Sequence, residues 1–180
     1  MGHADDFVLT PNLPMEQFQN REGGKAYNFD APPEGMFRAI TLAEGFDEEF
    51  GFRRQIEIIP LNPATEFHSS NKPVFVVFQL YQHFQSFNVF GVCYAEHVAS
   101  LDSQVVVARD TALITMEDES GYLKLSPPVG GWKTGSYRVE IHVGEQINNI
   151  SLIGAMRFTV TSQPQEATSK GQREGNEGQP

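Results

Sequence analysis

From Val129 to Val143 the sequence turns a corner and starts an alternating strand. The pair Gly130-Gly131 permits a tight reversal, and Trp132 follows as a large group for burial. Gly135 then launches Tyr137, Val139, Ile141 and Val143, which alternate with Arg138, Glu140 and His142. A period of two places one set on a core face and the other outward, as in a half-buried strand. Such a strand is stable only when a second layer covers its apolar face. The segment therefore predicts an all-β sandwich, with Trp132 at the corner between its sheets.

The rest of Pro73 to Val160 repeats the theme in short strands. Val74 to Tyr81 is apolar on both faces at its start, as a central strand is. Phe84 to Asn88 reads as a hairpin reversal centred on Gln85-Ser86, and Val89 to His97 as the returning strand. Gln104 to Met116 is the next strand, and Glu117 to Gly121 turns into Tyr122–Leu125. Gly144 to Asn149 makes a second hairpin tip before Ile150–Val160. Upstream, Met36–Leu42 and Phe52–Ile59 read as a hairpin around an acidic turn at 46–51. Pro60 to Pro63 then reads as a break.

The ends of the chain differ from its middle. Residues 1–35 hold four prolines, at 11, 14, 32 and 33, with a Gly23-Gly24 pair, yet keep Phe7, Leu9, Leu13, Met15, Phe18, Tyr27 and Phe29. That composition predicts an extended arm that docks on its own sandwich or on a neighbour. Residues 162–180 have no large apolar group and predict a disordered tail. The domain division is then an arm at 1–35, a sandwich at 36–161 and a tail at 162–180.

Residues 52–160 resemble the immunoglobulin-like and fibronectin-III-like sandwiches of the bacterial type in strand count, strand spacing and the corner Leu125 to Tyr137. The resemblance implies seven to nine antiparallel strands and makes Tyr137 the tyrosine corner. The chain departs from antibody domains in having no cysteine pair, and in placing Trp132 at the corner. A sandwich architecture implies no particular function.

Charge narrows the partners. The formal net charge is −10, and residues 1–50 hold 10 acidic against 3 basic side chains. No basic footprint exists for nucleic acid or for an anionic membrane surface. The longest aliphatic or aromatic run, Val74–Phe78, is too short to insert into a bilayer. The single Cys93 forbids an intrachain disulfide and reads as a small buried hydrophobe. With an acidic rather than basic start, this favours a cytoplasmic chain.

No nucleophile elbow, phosphate loop, dinucleotide fingerprint, His-Glu-x-x-His or Cys-x-x-Cys occurs, so the expectation is a non-enzyme without cofactors. The most suggestive stretch is the aromatic loop at 81–88. Tyr81, His83, Phe84, Phe87 and Asn88, with Glu145 and Asn149 on the other tip, are the candidate binding residues. They point to a protein partner or to a homo-oligomer. Two alternatives use the same tip: a carbohydrate-binding module through Tyr81, Phe87, Asn88 and Asn149, and a metal site through His83 and His142. His97 lies too far along its strand to join His83, roughly 30 Å at strand rise. Met1-Gly2-His3 has copper-chelating spacing, Glu117-Asp118-Glu119 could offer oxygens to calcium, and Asn149-Ile150-Ser151 matches a glycosylation acceptor. Each has a plainer reading, as a processed terminus, a solvated turn and a hairpin tip.

Overall fold

The computed structural model describes residues 27–51 and 55–162. Among them the chain forms nine strands and no helix, so the fold is an all-β sandwich. In chain order these are β1 (Phe37–Phe50), β2 (Ile56–Pro63), β3 (Glu66–His68), β4 (Val74–Leu80), β5 (Phe87–Val98), β6 (Val106–Ile114), β7 (Ser120–Leu125), β8 (Gly135–Gly144) and β9 (Leu152–Thr161). One sheet runs β2-β1-β4-β7 and the other β3-β9-β8-β5-β6. The short β3 pairs parallel with β9, Phe67 opposite Val160, and every other pair is antiparallel. The disordered-tail expectation for 163–180 and the arm expectation for 1–26 fall outside the described residues.

The core forms where the two alternating stripes meet. Val74, Val76, Phe78 and Leu80 of β4, with Leu123 and Leu125 of β7, face Val89 and Cys93 of β5 and Tyr137, Val139 and Ile141 of β8. Gly91 permits the closest approach, because a side chain there would run into Leu123. Burial pushes the Cys93 thiol up, so it stays protonated and unreactive. At the corner the Trp132 ring lies edge-on to Tyr137 at 5.2 Å and to Phe158 at 5.5 Å, while Tyr137 stacks on Phe158 at 5.0 Å. The Trp132 indole N–H donates to the Lys72 carbonyl at 2.9 Å, which removes the cost of burying it. Gly131 has φ +80°, and a Cβ there would clash with Asn71 and Ser70, so the corner requires glycine.

Tyr137 ties the corner to β8. Its hydroxyl donates to the Lys133 carbonyl at 2.7 Å and accepts from the Lys133 N–H at 3.1 Å. Both backbone groups of one turn residue are thereby tied to the start of β8.

Two upstream expectations are corrected. The acidic stretch 46–50 is strand rather than turn: Asp47 pairs with Ile59 and Glu49 with Glu57. Pro60 and Pro63 lie inside β2 rather than breaking the chain. Edge position explains the prolines, since the outermost β2 tolerates them, and the carboxylates of 47–49 stay in water on the part of β1 that runs beyond its pairing with β4. The far half of the β1–β2 hairpin folds across the outer face of its own sheet. Phe46 stacks on Tyr122 at 3.9 Å and meets Phe75 at 5.4 Å, and the Ile58 N–H donates to Ser120 Oγ at 2.8 Å. Val77 points to this outer face yet is only 2% exposed.

Residues 27–35 contain no strand and lie along the half of β9 that β3 leaves unpaired. The Ala155 N–H donates to the Ala31 carbonyl at 2.8 Å, and the Tyr27 hydroxyl donates to the Ile153 carbonyl. Asp30 forms ion pairs with Arg157 at 2.7 Å and with Arg138 at 3.4 Å.

Candidate functional site

The aromatic stretch at 81–88 is not a hairpin. β4 and β5 belong to different sheets, so residues 81–86 cross from one layer to the other. Residues 115–119 make a second crossing, from β6 to β7. The register sets both at one end: Asn88 pairs with Gly144, Phe87 with Ile114, and Gln79 with Ser120. The β8–β9 turn closes the same end, because His142 pairs with Leu152. The two expected tips therefore do meet.

Hydrogen bonds fasten the two crossings. The His83 ring lies between carbonyl oxygens, Nε2 at 2.7 Å from that of Thr115 and Nδ1 at 3.2 Å from that of Tyr81. Asp118 Oδ2 accepts from both the Thr115 N–H at 2.7 Å and the Thr115 hydroxyl at 2.8 Å. The Tyr81 N–H donates to the Met36 carbonyl at 3.0 Å. In the β8–β9 turn, Asn148 Oδ1 accepts from the N–H groups of Ile150 and Ser151, each at 3.0 Å.

On this frame the candidate residues divide. Tyr81 is 56% exposed and Phe84 77%, and Glu145 and Asn149 also face solvent. Phe87 is half-buried, packed on the core and 5.0 Å from the His83 ring, so its face is not free for a ligand. Asn88 is half-buried at the start of β5. Four exposed apolar groups at the same end escaped the sequence reading: Leu113 at 66%, Met116 at 63%, Ile147 and Ile150. Their signal was present in part, since Leu113 falls on the outward phase of β6; aromatic content alone did not point to it. A groove of about 230 Å³ runs between Phe84 and Met116, walled by His83, Gln82, Gln55 and the 117–119 turn.

The histidines do not assemble. Both His83 nitrogens are directed at carbonyl oxygens, which leaves no ring lone pair aimed at an open site. His142 was expected on a solvated face, but it is 5% exposed, its Nδ1 3.0 Å from Ser151 Oγ and its Nε2 3.4 Å from Glu140. The β8–β9 turn supplies Ser151 and covers the ring, which strand alternation cannot foresee. His97 pairs with Ser136 at the opposite end of β5. No group of three His, Cys, Asp or Glu stands together as a metal cage among the described residues. Asp118 in the acidic turn is already engaged by Thr115.

Fold and site together define a β-sandwich that displays an apolar, acid-bordered end on short, internally bonded crossings. The sequence matches no known family model and no curated protein.

Proposed function

We propose that this chain is a non-catalytic interaction module of immunoglobulin-like type, and that the end built from 81–88, 113–119 and 144–150 is its protein-binding surface. One observation supports this above others: Phe84 and Met116 line one groove, and Tyr81 and Leu113 are exposed at the same end of a tightly bonded frame. A monomer that kept large apolar groups in water at one end would gain nothing, whereas a partner would bury them. Aromatic anchors on rigid loops lose little conformational freedom on binding.

The immunoglobulin-like assignment is supported by strand order. The run β9-β8-β5-β6 lines up with the G-F-C-C′ order of a variable-type sheet, and β1-β4-β7 with A-B-E. The tyrosine bonded to Lys133 at the start of β8 agrees with it. The β1–β2 hairpin is an addition to that plan. In this reading residues 1–26, acidic and rich in large apolar groups, add a second contact to the same assembly.

The test is association of the untagged full-length chain with the material that co-purifies from its source. Replacing Phe84 and Met116 together by Ser should weaken it at least about thirtyfold, as loss of a central aromatic anchor does. Both side chains are exposed, so stability should move by no more than about 0.5 kcal/mol. Undiminished association by the double variant removes the proposal. The carbohydrate alternative has weaker support, because Phe87 is packed against the core.

A further inference from the structure

Sheet edges must be protected or paired, and among the described residues the edge of β6 is the least protected. β2 carries Pro60, Pro63 and the left-handed Asn62 at φ 48°. β3 is three residues long, and the rest of the β9 edge is taken by Ala31. On β7 the Lys124 N–H donates to Asp110 Oδ2 at 2.6 Å. β6 is the last strand of its sheet; it has a bulge at Val107 and turns Asp110 inward to β7, but among the described residues its stretch from Ala108 to Ile114 has no proline, no left-handed residue and no strand laid against it. From Val105 to Thr115 it holds no Pro, Gly or Lys.

The free groups can be named. An antiparallel strand sends both backbone groups of alternate residues to the same side. Ala95 bonds toward β6, through its N–H to Val105 and its carbonyl from Gln104. Val89, Gly91 and Cys93 share that phase, and they lie opposite Ala112, Asp110 and Ala108. The intervening residues Arg109, Thr111 and Leu113 therefore turn their backbone groups off the edge, and their side chains are exposed. Val107 is an extra residue in β6, so the regular stretch is Ala108–Ile114. Its midpoint is Thr111.

We propose that β6 pairs antiparallel with β6 of a second copy, across a two-fold axis at Thr111, and joins the two sheets into one. The midpoint of the regular stretch sets this register, and charge disfavours its neighbours toward the start of the strand. A two-fold at Arg109 would set Arg against Arg, and one at Asp110 would set Asp against Asp; both are unfavourable. A two-fold at Thr111 sets Thr against Thr and lays Leu113 along the aliphatic stem of the other Arg109. The contact is isologous and closed, so it yields a dimer rather than a fibre. It borders the end proposed above as a partner site and shares Leu113 with it, while Arg109 and Thr111 belong to the edge alone.

The test uses the full chain in sedimentation at concentrations up to about 100 μM, with two variants. Thr111→Lys places like charges opposite each other on the axis and should raise the dimer dissociation constant at least about tenfold, with the thermal midpoint of the subunit unchanged. Thr111→Cys should form an intersubunit disulfide on mild oxidation, because paired α-carbons about 5.5 Å apart suit that bond. Cys93 is buried and does not compete. Arg109→Cys and Leu113→Cys should each give no such link. A wild-type chain that stays monomeric throughout, a dimer indifferent to Thr111→Lys, or cross-linking at 109 or 113 in place of 111 each overturns the proposal. Loss of association in the Phe84 and Met116 variant but not in Thr111→Lys would do so too, while leaving the end surface standing.

Discussion

Tyr137 shows what one side chain can organise. Its ring lies between Trp132 and Phe158, and its hydroxyl holds both backbone groups of Lys133. Tyr137→Phe keeps the ring and leaves the two part-buried backbone groups of Lys133 without their partner. The expected cost is about 1–3 kcal/mol, read as a lower urea midpoint with unchanged slope. An unchanged midpoint would mean that water replaces the hydroxyl. The role of Tyr137 was legible because alternation and a preceding glycine corner are local signals. His142 was half legible. Its phase on β8 is correct, but its burial depends on Ser151, which the turn brings back over it. Alternation names the face of a sheet and is silent about what lies on that face.

At the scale of elements, the strands of Pro73–Val160 were readable, and the connections between them were not. A reversal rich in Gln, Ser and Asn looks the same whether the next strand pairs in-sheet or crosses to the other layer; the crossing at 81–86 was read as a hairpin for that reason. The β1–β2 hairpin was misplaced because Asp47, Glu48 and Glu49 resemble a turn, and because an edge strand need not alternate cleanly. The segment at 27–35 has its own control. A hydrogen bond from Arg157, aided by the charges of Arg157 and Arg138, holds the Asp30 carboxyl below the usual range. A lowered value means that the ionised form favours the docked segment. Its contribution is complete above about pH 4 to 5 and fades as pH falls below roughly 3.9, through the lowered value. Amide exchange at Ala155, corrected for intrinsic rate, should therefore accelerate between about pH 5 and about pH 3 before the core amides do. Asp30→Asn should flatten that profile; an acid response that persists in the variant would assign it to other groups.

The whole molecule is joined by contacts between distant parts of the chain. β1 pairs with β4, and β3 pairs with β9 almost a hundred residues later. Such a topology closes large loops before it gains from them, so refolding from urea should take milliseconds to seconds. Stopped-flow fluorescence of Trp132, the one tryptophan, reads it directly; a microsecond phase that recovers the full native signal would contradict the pairing order. The contrast between residues 51–161, with 10 acidic and 8 basic side chains, and residues 1–50, with 10 and 3, was visible in composition alone. The apolar end was visible only where it was aromatic, since the exposure of Leu113, Met116, Ile147 and Ile150 depends on how loops from both layers converge.

The direction of β9 has a practical result. It starts at Leu152 beside the apolar end and finishes at Thr161, next to His68, at the other end of the sandwich. The last residues of β9 thus lie about 30 Å, nine steps of strand rise, from the apolar end. A support or fluorophore attached there leaves Phe84 pointing away from the attachment, whereas the same label fused ahead of Tyr27 would start from the flank of the sandwich.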